Sequence, residues 1–171
     1  RHMGNFYRIA DECKREFCEQ IKRDYMKYMF FSYGDSQVDN WLREAAMFPD
    51  RLCDRVIQRK EKIEKKLNVA AGIIIYGAGL RGEQVLRGLY GEGYYQKIRC
   101  FAVSENPSSE LIAKKQVLQI ERALAEFPEA LIVVAAVRGG RSYRQMKEKL
   151  ERLGVGEYLD GNDIEEIFYI A

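Results

Sequence analysis

The chain has 171 residues, 47% of them hydrophobic and 32% charged. That balance describes an ordinary globular protein with enough apolar surface for one domain, or one domain and an appendage. Its 28 Lys and Arg against 26 Asp and Glu leave a formal net charge of +2, too weak a field to gather nucleic acid or an anionic membrane surface.

The lone histidine, His2, stands with Arg1 ahead of Met3 in a pair that reads as a cloning remnant. Setting it aside excludes histidine-dependent triads and His-ligated metal, and no metal is expected. The four cysteines, Cys13, Cys18, Cys53 and Cys100, form no Cys-x-x-Cys pair. Three fall at apolar positions of helical patterns, as reduced, partly buried thiols of a cytoplasmic protein do. No window reaches the roughly 18 apolar residues of a membrane span, and no basic-then-apolar start marks a secretory signal.

Along the chain, Phe6, Ile9, Cys13, Phe17, Ile21, Tyr25 and Tyr28 recur every three or four residues and predict one amphipathic helix over 5–30. FSYGDSQ interrupts it. Ser36 followed by Asp39 resembles a capping box and starts a second helix carrying Val38, Trp41, Leu42 and Ala45. Pro49 and Asp50 start a third, with Leu52, Cys53, Val56, Ile63 and Leu67 inward, ending near Asn68. The run RKEKIEKK within it reads as a solvated helix face. Residues 3–69 are thus expected to be a helical segment, a cap or a dimerisation element.

From about residue 70 to 171 short apolar runs alternate with helical patterns. Strands are predicted over 72–77, 97–103, 115–120, 130–137 and 157–160, and helices over 80–90, 121–127 and 142–154, with a last turn or two in NDIEEIFYI. This alternation predicts an α/β fold, a Rossmann-like doubly wound and mainly parallel sheet, preceded by about three helices.

Gly77-Ala78-Gly79-Leu80-Arg81-Gly82 fits G-x-G-x-x-G between a buried strand and a helix. There the first glycine allows the turn, the second lets the backbone approach a diphosphate, and the third lets helix and strand pack closely. The second strand ends in Ser104-Glu105, both candidate ligand contacts, and Glu105 is the candidate for ribose hydroxyls. If strand 130–137 lies beside strand 72–77, its loop brings Arg138, Gly139, Gly140 and Arg141 to the glycine turn, where guanidinium forks suit phosphate. Tyr143 and Lys147 match Tyr-x-x-x-Lys, but one crossover earlier than in short-chain dehydrogenases, and no catalytic residue is assigned.

GIIIYGAGLRGEQVL, IRCFAVSENP, ALIVVAAVRGG and LERLGV together resemble the Rossmann-like domains of bacterial surface-polysaccharide proteins. They are similar to the N-terminal nucleotide-sugar-binding domains of sugar acyltransferases of the pilin-glycosylation type, and to modules attached to glycosyltransferases and polysaccharide epimerases. The resemblance covers about residues 71–160. It implies phosphate-binding glycines at Gly77, Gly79 and Gly82, and an acidic ribose contact carried approximately by Glu105, because such proteins usually show Asp one position earlier. That departure leaves NAD(P) and nucleotide-sugar both open as the small-molecule ligand. The expected function is a nucleotide-binding module, non-catalytic by itself, in cytoplasmic assembly of surface polysaccharide. The N-terminal helices would serve a homodimer or dock a glycan-assembly enzyme. An NAD(P)-dependent oxidoreductase or epimerase-like enzyme, and a helical interaction protein on an inert Rossmann scaffold, are the alternatives.

Overall fold

The computed structural model describes residues 49–107 and 111–168. The helices expected over 5–30 and 36–48 lie outside them. The described elements are α1 (Pro49–Val69), β1 (Gly72–Tyr76), α2 (Leu80–Gly91), a 3-10 turn (Tyr94–Lys97), β2 (Ile98–Val103), β3 (Val117–Gln119), α3 (Ile120–Glu126), β4 (Ala130–Val134), α4 (Arg141–Arg152), β5 (Tyr158–Asp160) and α5 (Gly161–Phe168). Residues from Ile63 to Tyr169 make one compact unit.

Its centre is a five-stranded sheet of order β3-β2-β1-β4-β5, parallel at every pairing. All five residues of β1 are buried, as a strand covered on both faces requires. Alternation along the strands divides the core in two. Ile73 and Ile75 of β1, Phe101 of β2 and Val133 of β4 face one layer, closed by Ile63 and Leu67 of α1, Val85 and Leu89 of α2, and Ile164 and Ile167 of α5. Ile74 and Tyr76, Cys100 and Ala102, and Ile132 and Val134 face the other, closed by Ile120 and Ala123 of α3 and Leu150 of α4. Burial pushes the Cys100 thiol up to about 11, so it stays protonated and packs as a small apolar group.

Two of the departures from the expected bounds have a plain physical cause. Strand 130–137 is expected to run further, but β4 stops at Val134, level with Tyr76 and Asp160, the last residues of its neighbours β1 and β5. The stretch NDIEEIFYI, expected to give a turn or two, contributes to an eight-residue helix, α5. Ile164 and Ile167 bury on the first layer, so tertiary packing sustains a helix too short to persist alone.

The join between α1 and β1 is held by β2 and the turn before it. Lys97 Nζ donates to the carbonyls of Leu67 (2.9 Å), Asn68 (2.7 Å) and Ala70 (3.2 Å). The first two are among the oxygens that a helix C-terminus leaves unmatched, and the ammonium also meets the negative end of the helix dipole. Tyr94 Oη donates to Asn68 Oδ1, and Arg99 to the Ala71 carbonyl at 2.8 Å. Lys97→Met should therefore lower stability in urea denaturation by about 1–2 kcal/mol, with Lys97→Arg recovering part of the loss.

Candidate functional site

β1, β2 and β4 end at one level, with Tyr76 opposite Ala102 and Val134. The strand order changes direction here: β2 and β3 lie on one side of β1, β4 and β5 on the other. Backbone bonds continue the ladder one step, from Gly77 N–H to Ala102 O (2.8 Å) and from Ala135 N–H to Tyr76 O (2.7 Å). The chain after β1 and the chain after β4 then leave side by side, and parallel α/β sheets bind ligands at such a point.

The three glycines of the β1 turn do different work. A Cβ on Gly77 would stand 2.4 Å from the Ala135 carbonyl oxygen, and a Cβ on Gly82 would stand 2.0 Å from the Gly77 oxygen. Both are therefore demanded by the close approach of turn, helix and β4 loop. Gly79 is different: it caps α2 with φ −97° and ψ −162°, a conformation open to any residue, and a Cβ there would meet nothing within 4 Å. Internal packing gives no reason for glycine at this position. Ala78 is half-buried and Leu80 exposed.

Helix ends converge on the same edge. α2 and α4 begin at Gly79 and Gly140, and no side chain caps either. α5 begins beside Asp160, whose Oδ1 accepts the Asn162 N–H at 2.9 Å. The positive end of α5 is thus supplied with a carboxylate by the chain itself, while the N-caps of α2 and α4, Gly79 and Gly140, have no side chain to offer.

The structure places two of the three expected arginines on carboxylates. Arg81 pairs with Glu165 of α5, whose side chain is 3% exposed. Arg138 Nε donates to Asp160 Oδ2 at 2.9 Å, and its other arm pairs with Asp163. Arg141 lies exposed at the start of α4, after Gly139 with φ +77°. At the end of β2, Glu105 is exposed, but the Ser104 hydroxyl lies 2.6 Å from the Tyr76 hydroxyl. β1 and β4 are neighbours, so the glycine turn and the loop from Arg138 to Arg141 follow adjacent strands, yet Arg81, Arg138 and the Ser104 hydroxyl already have partners within the chain.

Asp160 is the residue that sequence reading missed. Besides Arg138 and the Asn162 backbone, it accepts from Tyr143 Oη (2.8 Å) and Asn162 Nδ2 (2.6 Å), and Asn162 Nδ2 also reaches the Ala136 carbonyl at 2.9 Å. The signal was YLDGND: an Asp closing a strand before a helix is a capping residue, and Asn162 and Asp163 follow it. The network also defines Tyr143. Burial and then the Asp160 carboxylate push its phenol far above the ordinary value, the opposite of what a proton-transferring tyrosine needs. Lys147 lies 5.8 Å from the Tyr143 ring centre and 5.9 Å from that of Tyr158. Among the described residues no three His, Cys, Asp or Glu are grouped to hold a metal, and no helix is long and apolar enough to cross a membrane.

Burial alone would raise the Asp160 carboxyl, but bonds from Asn162 and Tyr143 and the Arg138 charge outweigh it and hold it below the ordinary value. The ionised network therefore stabilises the fold above about pH 4, and that contribution is lost as pH falls through the depressed value. Asp160→Asn replaces one acceptor oxygen by an amide donor that faces other donors. It should cost about 2–3 kcal/mol at neutral pH, with the gap to wild type narrowing in urea titrations below about pH 4.

No family model matches the chain, and comparison with curated proteins and with solved structures found no match, so the site rests on its own geometry.

Proposed function

We propose that the chain is a Rossmann-like, doubly wound nucleotide-binding module, which seats a diphosphate over Gly77–Gly82 and takes NAD(P) or a nucleotide-sugar. The observation that carries this reading is Gly79. Gly77 and Gly82 are glycines for the fold's sake, whereas a Cβ on Gly79 would meet nothing within 4 Å among the described residues. A diphosphate lying against the first turn of α2 needs that clearance and the uncapped amides behind it.

The ligand would be held mainly by backbone and helix ends, because Arg81 and Arg138 are matched by Glu165, Asp160 and Asp163. Glu105, exposed at the end of β2, would meet the ribose hydroxyls. Burial and the Asp160 carboxylate raise the Tyr143 phenol, which speaks against Tyr143 as a proton donor, and the module is read as one that binds its ligand without transforming it. A place in cytoplasmic surface-polysaccharide assembly follows from the resemblance of the glycine turn and strand spacing to such modules. A second reading, an inert scaffold serving an interaction protein, draws support from the same matched arginines, since Arg81 and Arg138 are held by carboxylates of the chain.

The two readings separate at one residue. Asp is a better helix N-cap than glycine by a few tenths of a kcal/mol, so Gly79→Asp should keep or slightly raise the melting temperature of the free protein. It should also abolish the thermal shift given by millimolar NAD, ADP or UDP-sugar. Gly82→Ala, which drives a methyl group into the Gly77 carbonyl, should lose at least about 2 kcal/mol of stability as well as binding. A wild-type protein with no shift for any of these ligands would support the scaffold reading.

A further inference from the structure

Beyond β2 the ladder offers no further pairing: Val103 opposite Gln119 is the last register pair between β2 and β3. The next residue, Ser104, is nevertheless held twice. Its hydroxyl is 2.6 Å from the hydroxyl of the fully buried Tyr76, and its carbonyl accepts Lys149 Nζ at 2.6 Å. Lys149 belongs to α4, which follows β4 on the far side of β1, so it ties a distant helix to the end of β2. Its side chain is 17% exposed, and its ammonium also pairs with Glu121 Oε1 at 2.9 Å. That pair holds Glu121 below the ordinary carboxylate range.

We propose that Lys149 is a positioning residue for the nucleotide site, which with Tyr76 clamps Ser104 so that Glu105 alone is presented to a ribose. The proposal rests on reading the β1 glycine turn as that site. It assigns Ser104 a buttressing role: its hydroxyl faces Tyr76, and its carbonyl anchors the backbone one residue before Glu105. It also names the ligand class. With the Lys149 charge matched by Glu121, the end of β2 offers a carboxylate acceptor, which suits free ribose hydroxyls and repels a phosphate on the sugar.

Calorimetric titration of the full chain with ADP and, separately, with inorganic pyrophosphate tests this. Both probes share the diphosphate, and only ADP carries a ribose. Lys149→Met should weaken ADP about tenfold while leaving pyrophosphate unchanged, and Lys149→Arg should restore much of the ADP affinity. Glu105→Gln, an exposed change, should weaken ADP similarly, and the double variant should be no worse than either single one. A purely structural Lys149 would alter both probes together or neither, which would overturn the clamp. Unchanged ADP binding in Glu105→Gln would overturn it also, even if Lys149→Met failed to fold. Wild-type protein binding neither probe would overturn the nucleotide reading and the clamp together.

Discussion

The closeness of three backbone segments governs this fold. The turn after β1, the first turn of α2 and the chain leaving β4 approach so nearly that a single carbon on Gly82 would lie 2.0 Å from the Gly77 oxygen, and one on Gly77 would lie 2.4 Å from the Ala135 oxygen. Such contact lets α2 lie on the sheet and bury Val85 and Leu89. It also sends the β1 and β4 loops out side by side, with the starts of α2 and α4 on one edge. Most of what can be said about a ligand follows from that geometry.

Electrostatics on the same edge are divided by α5. Asp160 and Asp163 hold Arg138, and Glu165 holds Arg81, so the helix after β5 consumes two of the guanidiniums nearest the switch in strand order. Glu165 is buried, and a buried carboxylate without a cation is costly. Arg81 is thus bound to the fold before any ligand arrives. An anion at this edge would be recognised by amides and helix dipoles, which suits a shared diphosphate better than a particular charged head group.

The strand order was legible because the apolar runs are short and bounded and the helical patterns between them are distinct; β1 beside β4 followed from the crossover rules. The glycine turn was legible as a motif, but the sequence could not separate Gly77 and Gly82, needed for packing, from Gly79, which is not. That distinction lies in distances to Ala135 and to the Gly77 carbonyl. The arginine pairings were hidden for a different reason. Arg81 and Glu165 are 84 residues apart, Arg138 and Asp163 25 apart, and no local period links them. Ser104 was read as a ligand contact because its position follows β2; that its hydroxyl faces Tyr76 depends on the register of two strands and on Lys149 from a third element.

The central claim, that a nucleotide diphosphate sits over the β1 turn, is tested most directly by following backbone amide resonances of the full chain during titration with ADP. The account predicts saturable shifts confined to Gly77–Gly82, Glu105 and the loop from Arg138 to Arg141, with the amides of β3 and the end of α1 unmoved. Absence of shifts at millimolar ADP, or saturable shifts that avoid Gly79 and Leu80, would contradict it.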